Sequence, residues 1–389
     1  MAIDIKNLIE FVQRDITNID STGDTQRILD LARFVDRQAK TTLLMYDSTS
    51  DLPNLLDDTA DTMQLAYVAN QRRIYVNQGT WKPMEQFGPP PPPPVFQGTN
   101  FGYTSGGTPA TNVIDKFPFT SDGNASDVGD LTVTKFATSG QSSADNGYTS
   151  GGSVPVTGNI NIIDKFPFAS DANATDVGDI TVARQFLTGQ SSTENGYSSG
   201  GFEPAISNII DKFPFSADAN ATDVGDLTVA RFSPAGQSST ENGYTSGGRN
   251  PSPVYQNIVD KFPFSSDANA TDVGDLTVAR GQAPAGQSSS DNGYTSGGFS
   301  NPPLLYYNTI DKFPFASDAN ATDVGDLTLA RTQSAGQSST SNGYSSGGFN
   351  SPPSTSYNII DKFPFTSDAN ASDVGDLSVT RYDAAGQQY

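Results

Sequence analysis

Apolar and polar positions follow two different rhythms along this chain. Over residues 5–19, IKNLIEFVQRDITNI, the apolar positions Ile5, Leu8, Ile9, Val12 and Ile16 recur every three or four residues and line one helical face. The polar run Asp20-Ser21-Thr22-Gly23-Asp24 breaks that spacing, and Ile28, Leu29, Leu31, Ala32 and Val35 resume it after Thr25. The pattern predicts a helical hairpin. Two short helices bury too little to stand alone, so Leu8, Ile9, Val12, Ile16, Ile28, Leu31 and Val35 are expected to pack against copies of the segment or a larger partner. Residues 64–81, QLAYVANQRRIYVNQGTW, read as two short strands joined by Asn70-Gln71-Arg72-Arg73.

From residue 100 the apolar runs shorten and one unit repeats. Gly-Gly pairs stand at 106–107, 151–152, 200–201, 247–248, 297–298 and 347–348. Each is followed by Asp-Lys-Phe-Pro-Phe, beginning at Asp115, Asp164, Asp211, Asp260, Asp311 and Asp361, with spacings of 49, 47, 49, 51 and 50 residues. Six units of this length match β-propeller blades of four short strands each. In residues 188–231 the strands are read at 189–193, 197–201, 208–215 and 227–231. Glu194-Asn195-Gly196 is read as a hairpin turn, and SADANATDVGD as a loop of Asx turns. Pro214 marks a strand end or a bulge.

The ends of the repeat predict closure. A small-residue inner strand starts near Gly140, Gly189, Gly236, Gly286 and Gly336, and Gly386-Gln387-Gln388 is a sixth copy. Residues 96–99, upstream of the first unit, match it poorly. Residues 385–389 are therefore expected to supply the inner strand of blade one, leaving no unpaired strand at the seam. A β-solenoid or a fibre of stacked hairpins is the alternative, although a linear array needs no terminal repair. The expected organisation is an α+β anchor at 1–86 (helical hairpin plus small β-hairpin), a linker at 87–95, and an all-β six-bladed propeller at 96–389. The run Pro89–Pro94 in that linker is expected to form a stiff polyproline spacer of about 19 Å.

Composition supports an ordered, turn-dense β fold: 37 Gly and 25 Pro accompany 23 Phe and 15 Tyr, whereas disordered chains are poor in aromatics. The net charge is −21, and residues 100–389 hold 30 acidic against 13 basic residues. That field repels phosphate, so neither nucleic acid nor anionic membrane is an expected partner. The chain has no Cys and no His. Thiol and Ser/His chemistry is excluded, and zinc, copper and haem lose their usual ligands. No apolar run reaches 18 residues, and no leader peptide is evident at MAIDIKNLIE. The expectation is a chain that is not an enzyme and has no cofactor. A hydrolase using carboxylates alone would need two unrepeated acids near the axis, and Glu203 is the single acid in a diversified loop.

Three features carry candidate chemistry. Asp171, Asn173 and Asp176 sit in a D-x-N-x-x-D loop that offers oxygen ligands to calcium, but EF-hand spacing fails and the loop recurs in every unit, as structural turns would. Arg184, Arg231, Arg280, Arg331 and Arg381, with Lys135 in blade one, are expected to form surface pairs with nearby Asp residues. Comparison among the units is the most informative. Loops on one side repeat almost verbatim, while those on the other differ: SVPVTGNI, FEPAIS, RNPSPVYQ, FSNPPLLYY and FNSPPSTSY. Recognition residues commonly sit on variable loops held by a rigid scaffold. The candidates are Phe202, Tyr255, Phe299, Leu304, Leu305, Tyr306, Tyr307, Phe349 and Tyr357, aromatic or aliphatic side chains suited to stacking on sugars or packing on a protein.

Each unit resembles a kelch repeat: a Gly-Tyr strand ending in Gly-Gly, an apolar-Asp strand, an Asp-rich turn, and a last strand ending in Arg. Val177, Val224 and their equivalents depart from it, standing where kelch repeats usually place Trp. Residues 64–81 are similar to small modules of tailed-phage fibre and appendage proteins, through Ala66-Tyr67-Val68, Ile74-Tyr75-Val76 and Gly79-Thr80-Trp81. That resemblance implies a virion structural protein: a tail fibre, spike or head decoration, whose anchor docks to other virion subunits and forms homo-oligomers. The displayed propeller would bind a host surface glycan or protein. A free lectin-like or kelch-type adhesin, soluble and of unassigned compartment, is the alternative.

Overall fold

The computed structural model divides the chain into two compact units, Met1–Pro92 and Pro93–Tyr389. It describes residues 97–250 and 254–389 and, in the first unit, the backbone of four strands. Those strands form one sheet in chain order: Leu43–Tyr46 runs parallel to Gln64–Val68, and Arg73–Asn77 and Trp81–Pro83 follow antiparallel. The expected hairpin over 64–81 is thus the centre of a four-stranded sheet. The expected helices, with Leu8, Ile9, Val12, Ile16, Ile28, Leu31 and Val35, and the proline run lie outside the described residues.

The second unit is a six-bladed β-propeller, each blade a four-stranded antiparallel sheet. Blade three runs from inner to outer strand as Thr188–Ser191, Asn195–Ser199, Ile209–Pro214 and Thr222–Asp226. In blade one the inner strand is Ala385–Gln388, paired with Phe101–Ser105 in the register Ala385–Ser105 to Gln388–Gly102. The end of the repeat closes the ring, as its sequence predicts.

Two local expectations need correction. The outer strand of blades two to six is the TDVGD or SDVGD segment, within the stretch read as loop. The residues read as that strand instead turn inward after it, placing Leu227 in the core and Arg231 between blades. Only blade one carries its outer strand, Ser126–Lys135, through to the basic residue. The inner hairpin turn spans residues 192–194, so of the expected Glu194-Asn195-Gly196 only Glu194 is in it and Asn195-Gly196 begin the strand. It is closed by Ser192, whose Oγ accepts from the Asn195 amide at 2.9 Å. Gly196 is glycine because a Cβ there would meet Phe213 Cζ at 2.3 Å.

The core lies between blades rather than within them. Tyr197, Ile210 and Leu227 of blade three pack against Phe262 and Ala270 of blade four, and Tyr344, Ile360 and Leu377 of blade six against Phe117 of blade one. Burying each such aromatic contributes about 2 kcal/mol. Closed rings of polar contacts repeat around the axis. Gln141, Gln190, Gln237, Gln287, Gln337 and Gln387 each donate Nε2 to a Tyr carbonyl of the next blade at 2.9–3.0 Å. The facing glycines let the inner strands touch: a Cβ on Gly286 would meet the Gly236 carbonyl at 2.1 Å.

The basic residues expected in surface pairs are fully buried. Lys135–Asp164, Arg184–Asp211, Arg231–Asp260, Arg280–Asp311 and Arg331–Asp361 pair at 2.7–3.2 Å, and Arg381 pairs with Asp115 across the seam. Each links the end of one blade to the third strand of the next. Burial pushes Lys135, Arg231, Arg280 and Arg381 below their ordinary pKa, and the partner carboxylate opposes this.

Candidate functional site: the variable face

The two ends of the propeller are built differently. On the uniform end the loops carry a second ring of ion pairs, from Lys116–Asp171 round to Lys362–Asp122. A ring of Asn side chains accompanies it: Asn173 Oδ1 accepts from the Asp130 amide at 3.0 Å, and Asn124, Asn220, Asn269, Asn320 and Asn370 repeat this. Asp176 Oδ1 accepts from the Gly178 amide. The calcium candidates Asp171, Asn173 and Asp176 therefore each have a separate structural partner, and no cluster of three acidic residues occurs among the described residues. The chain enters the propeller on this end, where Gly98 bonds to Ser338 and Thr340 and Gln97 Nε2 donates to the Ser288 carbonyl.

The opposite end carries the diversified loops. After the Gly-Gly of blades two, three, five and six the chain forms a short hairpin, as in Phe202–Glu203 with Ala205–Ile206, Phe299–Ser300 with Leu305–Tyr306, and Phe349–Asn350 with Thr355–Ser356. The glycines make the sharp exit possible: Gly200 and Gly201 have φ of 66° and 113°. Blade one has only a short loop there, so the ring of hairpins is interrupted above it.

Main-chain bonds fix these hairpins. The residue after each Gly-Gly pairs with the residue after the preceding basic residue: Thr108–Tyr382, Ser153–Phe136, Phe202–Gln185, Arg249–Phe232, Phe299–Gly281 and Phe349–Thr332. Nearer the axis, amides bond in a closed collar from Ala137 to Asp383, Phe186 to Ala137, Ser233 to Phe186, Ala283 to Ser233, Gln333 to Ala283 and Asp383 to Gln333, at 2.7–2.9 Å. All six hold a left-handed φ of 52–60°, uncommon for non-glycine residues. Below the collar is an axial cavity of about 110 Å³ whose lining includes Thr138, Thr188, Ser334 and the inner-strand glycines.

The candidate binding residues separate into two groups. Phe299 is buried, at 7% exposure, beneath Tyr306 and beside Tyr255, with ring centroids 4.9 and 5.9 Å away. Tyr307 bonds to Ser300 Oγ at 2.8 Å, and its amide, like that of Tyr357, caps a Gly-Gly carbonyl. Phe299 is thus a packing residue, and Tyr307 and Tyr357 brace their blades. Leu304 and Leu305 are exposed, and Phe202, Tyr255, Tyr306 and Phe349 are half-buried. Burial raises the pKa of the Tyr306 hydroxyl, opposed by a hydrogen bond from the Ser351 backbone of blade six. Tyr255, Phe299 and Tyr306 thereby join the loops of blades four to six.

Sequence reasoning missed the first and second residues after the basic residue of each blade. Phe186, Phe232 and Tyr382 lie on this face; Phe186 and Phe202 flank Phe232, with centroids 6.1 and 5.8 Å away, and Tyr382 packs on Phe349 at 4.9 Å. The signal was available, because Lys135-Phe136, Arg184-Gln185, Arg231-Phe232 and Arg381-Tyr382 vary beside an otherwise repeated residue. Charge is segregated too. Of the acidic residues in the propeller only Glu203 and Asp383 belong to the variable face. Burial lifts Asp383 to about 7, against the pull of the Gln333 amide that donates to both its oxygens at 2.8 Å.

No protein-family model matches the chain, and neither does any curated protein. The six-bladed arrangement is consistent with the kelch-like reading.

Proposed function

We propose that this chain is a non-enzymatic recognition protein whose propeller presents its variable face to a partner. The observation that carries the reading is the contrast between the two ends. One is repeated and closed by side-chain rings, and the other is diversified, aromatic and nearly free of acidic charge, with Leu304 and Leu305 exposed. The chain enters the propeller on the uniform end.

Within that reading we place the protein on the virion of a tailed phage, as a fibre, spike or head decoration. Residues 1–86 would dock to other virion subunits and self-associate, and the propeller would bind a host surface glycan or protein. The support is the resemblance of residues 64–81 to phage appendage modules, together with the proline run between them and the propeller. Electron microscopy and peptide mass spectrometry of purified particles should find the chain in the virion; its absence there defeats the virion assignment. Replacing Leu304 and Tyr306 with Ser should leave the protein folded, with a modest loss of stability where Tyr306 covers Phe299, and weaken attachment. Unchanged attachment would remove blade five from the contact surface.

A further inference from the structure

Residues 97–389 contain thirteen basic side chains, and twelve belong to the two rings of ion pairs. Arg249 is the thirteenth. Among the described residues it is the one propeller cation outside an ion pair, and it stands on the variable face, directly after Gly247-Gly248.

Its position is fixed by the fold. The Arg249 and Phe232 backbones exchange two hydrogen bonds of 3.0 Å, seating the side chain at the junction of blades three and four. The guanidinium carbon lies 4.4 Å from the centroid of the Phe232 ring, a cation–π distance that holds the planar group without neutralising it. Among the described residues its Nε is buried with no hydrogen-bond partner, and so is Oδ1 of the neighbouring Asn250. The ring arginines also leave an Nε unpaired, but each is fully buried against an Asp; Arg249 and Asn250 are only partly buried, so a ligand or water can reach their open positions. Phe202 and Phe186 extend the apolar surface to one side of Phe232. The one acid in these hairpins, Glu203, already accepts from Asn159 Nδ2.

We infer that Arg249, on its Phe232 platform, anchors a subsite for a carboxylate-bearing sugar. The inference rests on the reading of this face as a recognition surface. A guanidinium offers two parallel N–H donors matched to one carboxylate, and aromatic rings accept the C–H face of a pyranose. Asn250 Oδ1 is an acceptor for a sugar hydroxyl. One cation outside an ion pair among the described propeller residues, in a chain of charge −21, suits one carboxylate and disfavours polyanions such as phosphodiester chains. No bond is made or broken, so nothing beyond binding is required of the site.

The test is isothermal titration of the full-length protein with methyl galactosiduronate, which carries one carboxylate, and with sialyllactose, against the methyl ester of the first and lactose as neutral counterparts. At least one acid sugar should bind more tightly than its counterpart. Arg249→Met, which keeps packing on Phe232 but removes the charge, should weaken that acid sugar about 10- to 100-fold and leave the neutral one unchanged. Arg249→Lys should restore only part, because an ammonium cannot form the paired bonds. Failure of both acid sugars to bind, equal affinity for acid and neutral forms, or no effect of Arg249→Met overturns the subsite. So does tighter binding of triglutamate than of either sugar. The attachment assay separates this from the wider reading. Loss of attachment in the Leu304/Tyr306 variant but not in Arg249→Met removes the subsite and leaves the face; no loss in either removes both.

Discussion

The two ends of the propeller use opposite means to hold the same six blades together. On the uniform end cohesion depends on side-chain identity. Every Lys of the Asp-Lys-Phe-Pro-Phe motif needs an Asp in the next blade, and every outer strand needs an Asn to cap it. On the variable end the six junctions and the collar are made by backbone amides and carbonyls, which every residue but proline supplies. A surface stitched by its main chain can change its side chains without coming apart. That accounts for the repeated sequence at one end and the diversified sequence at the other.

The largest effect is expected at the buried ion pairs, a further side-chain ring that joins the blades between the two ends. Asp260→Ala leaves Arg231 buried without its partner and should cost about 3–5 kcal/mol, read as a lower urea midpoint. A joint Arg231→Met, Asp260→Leu replacement should recover most of it, since two apolar groups leave no orphaned charge. A loss below ~1 kcal/mol from the single change would mean that the rings do not hold the blades.

Asp383 is the exception on the variable end, a collar residue whose side chain is buried. Its carboxyl titrates near 3.8 in the unfolded chain and is raised to about 7 on folding. The folded state thus binds the extra proton between those values, and stability falls as pH rises from about 4 to about 7. Asp383→Asn should remove that slope and raise stability above pH 7 by on the order of 2–4 kcal/mol. Melting temperatures across pH 4 to 8 check it, and a parallel slope in the variant would refute it. The smallest effect is expected at Leu304, exposed at the tip of blade five. Leu304→Ser should change stability by no more than about 0.5 kcal/mol, measured in the same urea titration.

Most of the fold was legible in the sequence because identical side chains recur at identical stations. The Gly-Gly pairs, the Asp-Lys-Phe-Pro-Phe strand and the sixth Gly-Gln copy at 386–388 located the blades and the seam. The outer strand was misread because Leu227-Thr228-Val229 has the apolar content of a strand. The chain spends that content on the core instead and uses Thr222–Asp226, polar and glycine-containing, at the exposed edge. The depth of Arg231 was illegible for a related reason. Position along a strand does not reveal that the chain folds back under the neighbouring blade. The variable face was legible as a set of loops, but Phe299 and Arg249 occupy equivalent stations with opposite fates. One is buried by Tyr255 and Tyr306, and the other lies over Phe232 without an acidic partner among the described residues.

The seam also sets a schedule. Ser105 and Gln387, hydrogen-bonded in blade one, are 282 residues apart in the chain. At translation rates of about 5–20 residues per second, Phe101–Ser105 leaves the ribosome roughly 15–55 s before its inner partner exists. During that interval it offers an edge to which the Ala-Gly-Gln-Ser strand of a later blade, or of a neighbouring nascent chain, is nearly as good a match as Ala385–Gln388. A ring built from near-identical blades must therefore be completed against its own copies. Correct closure is won by the timing of synthesis and by the fit at residues 97–100 and Tyr389, which no other blade reproduces.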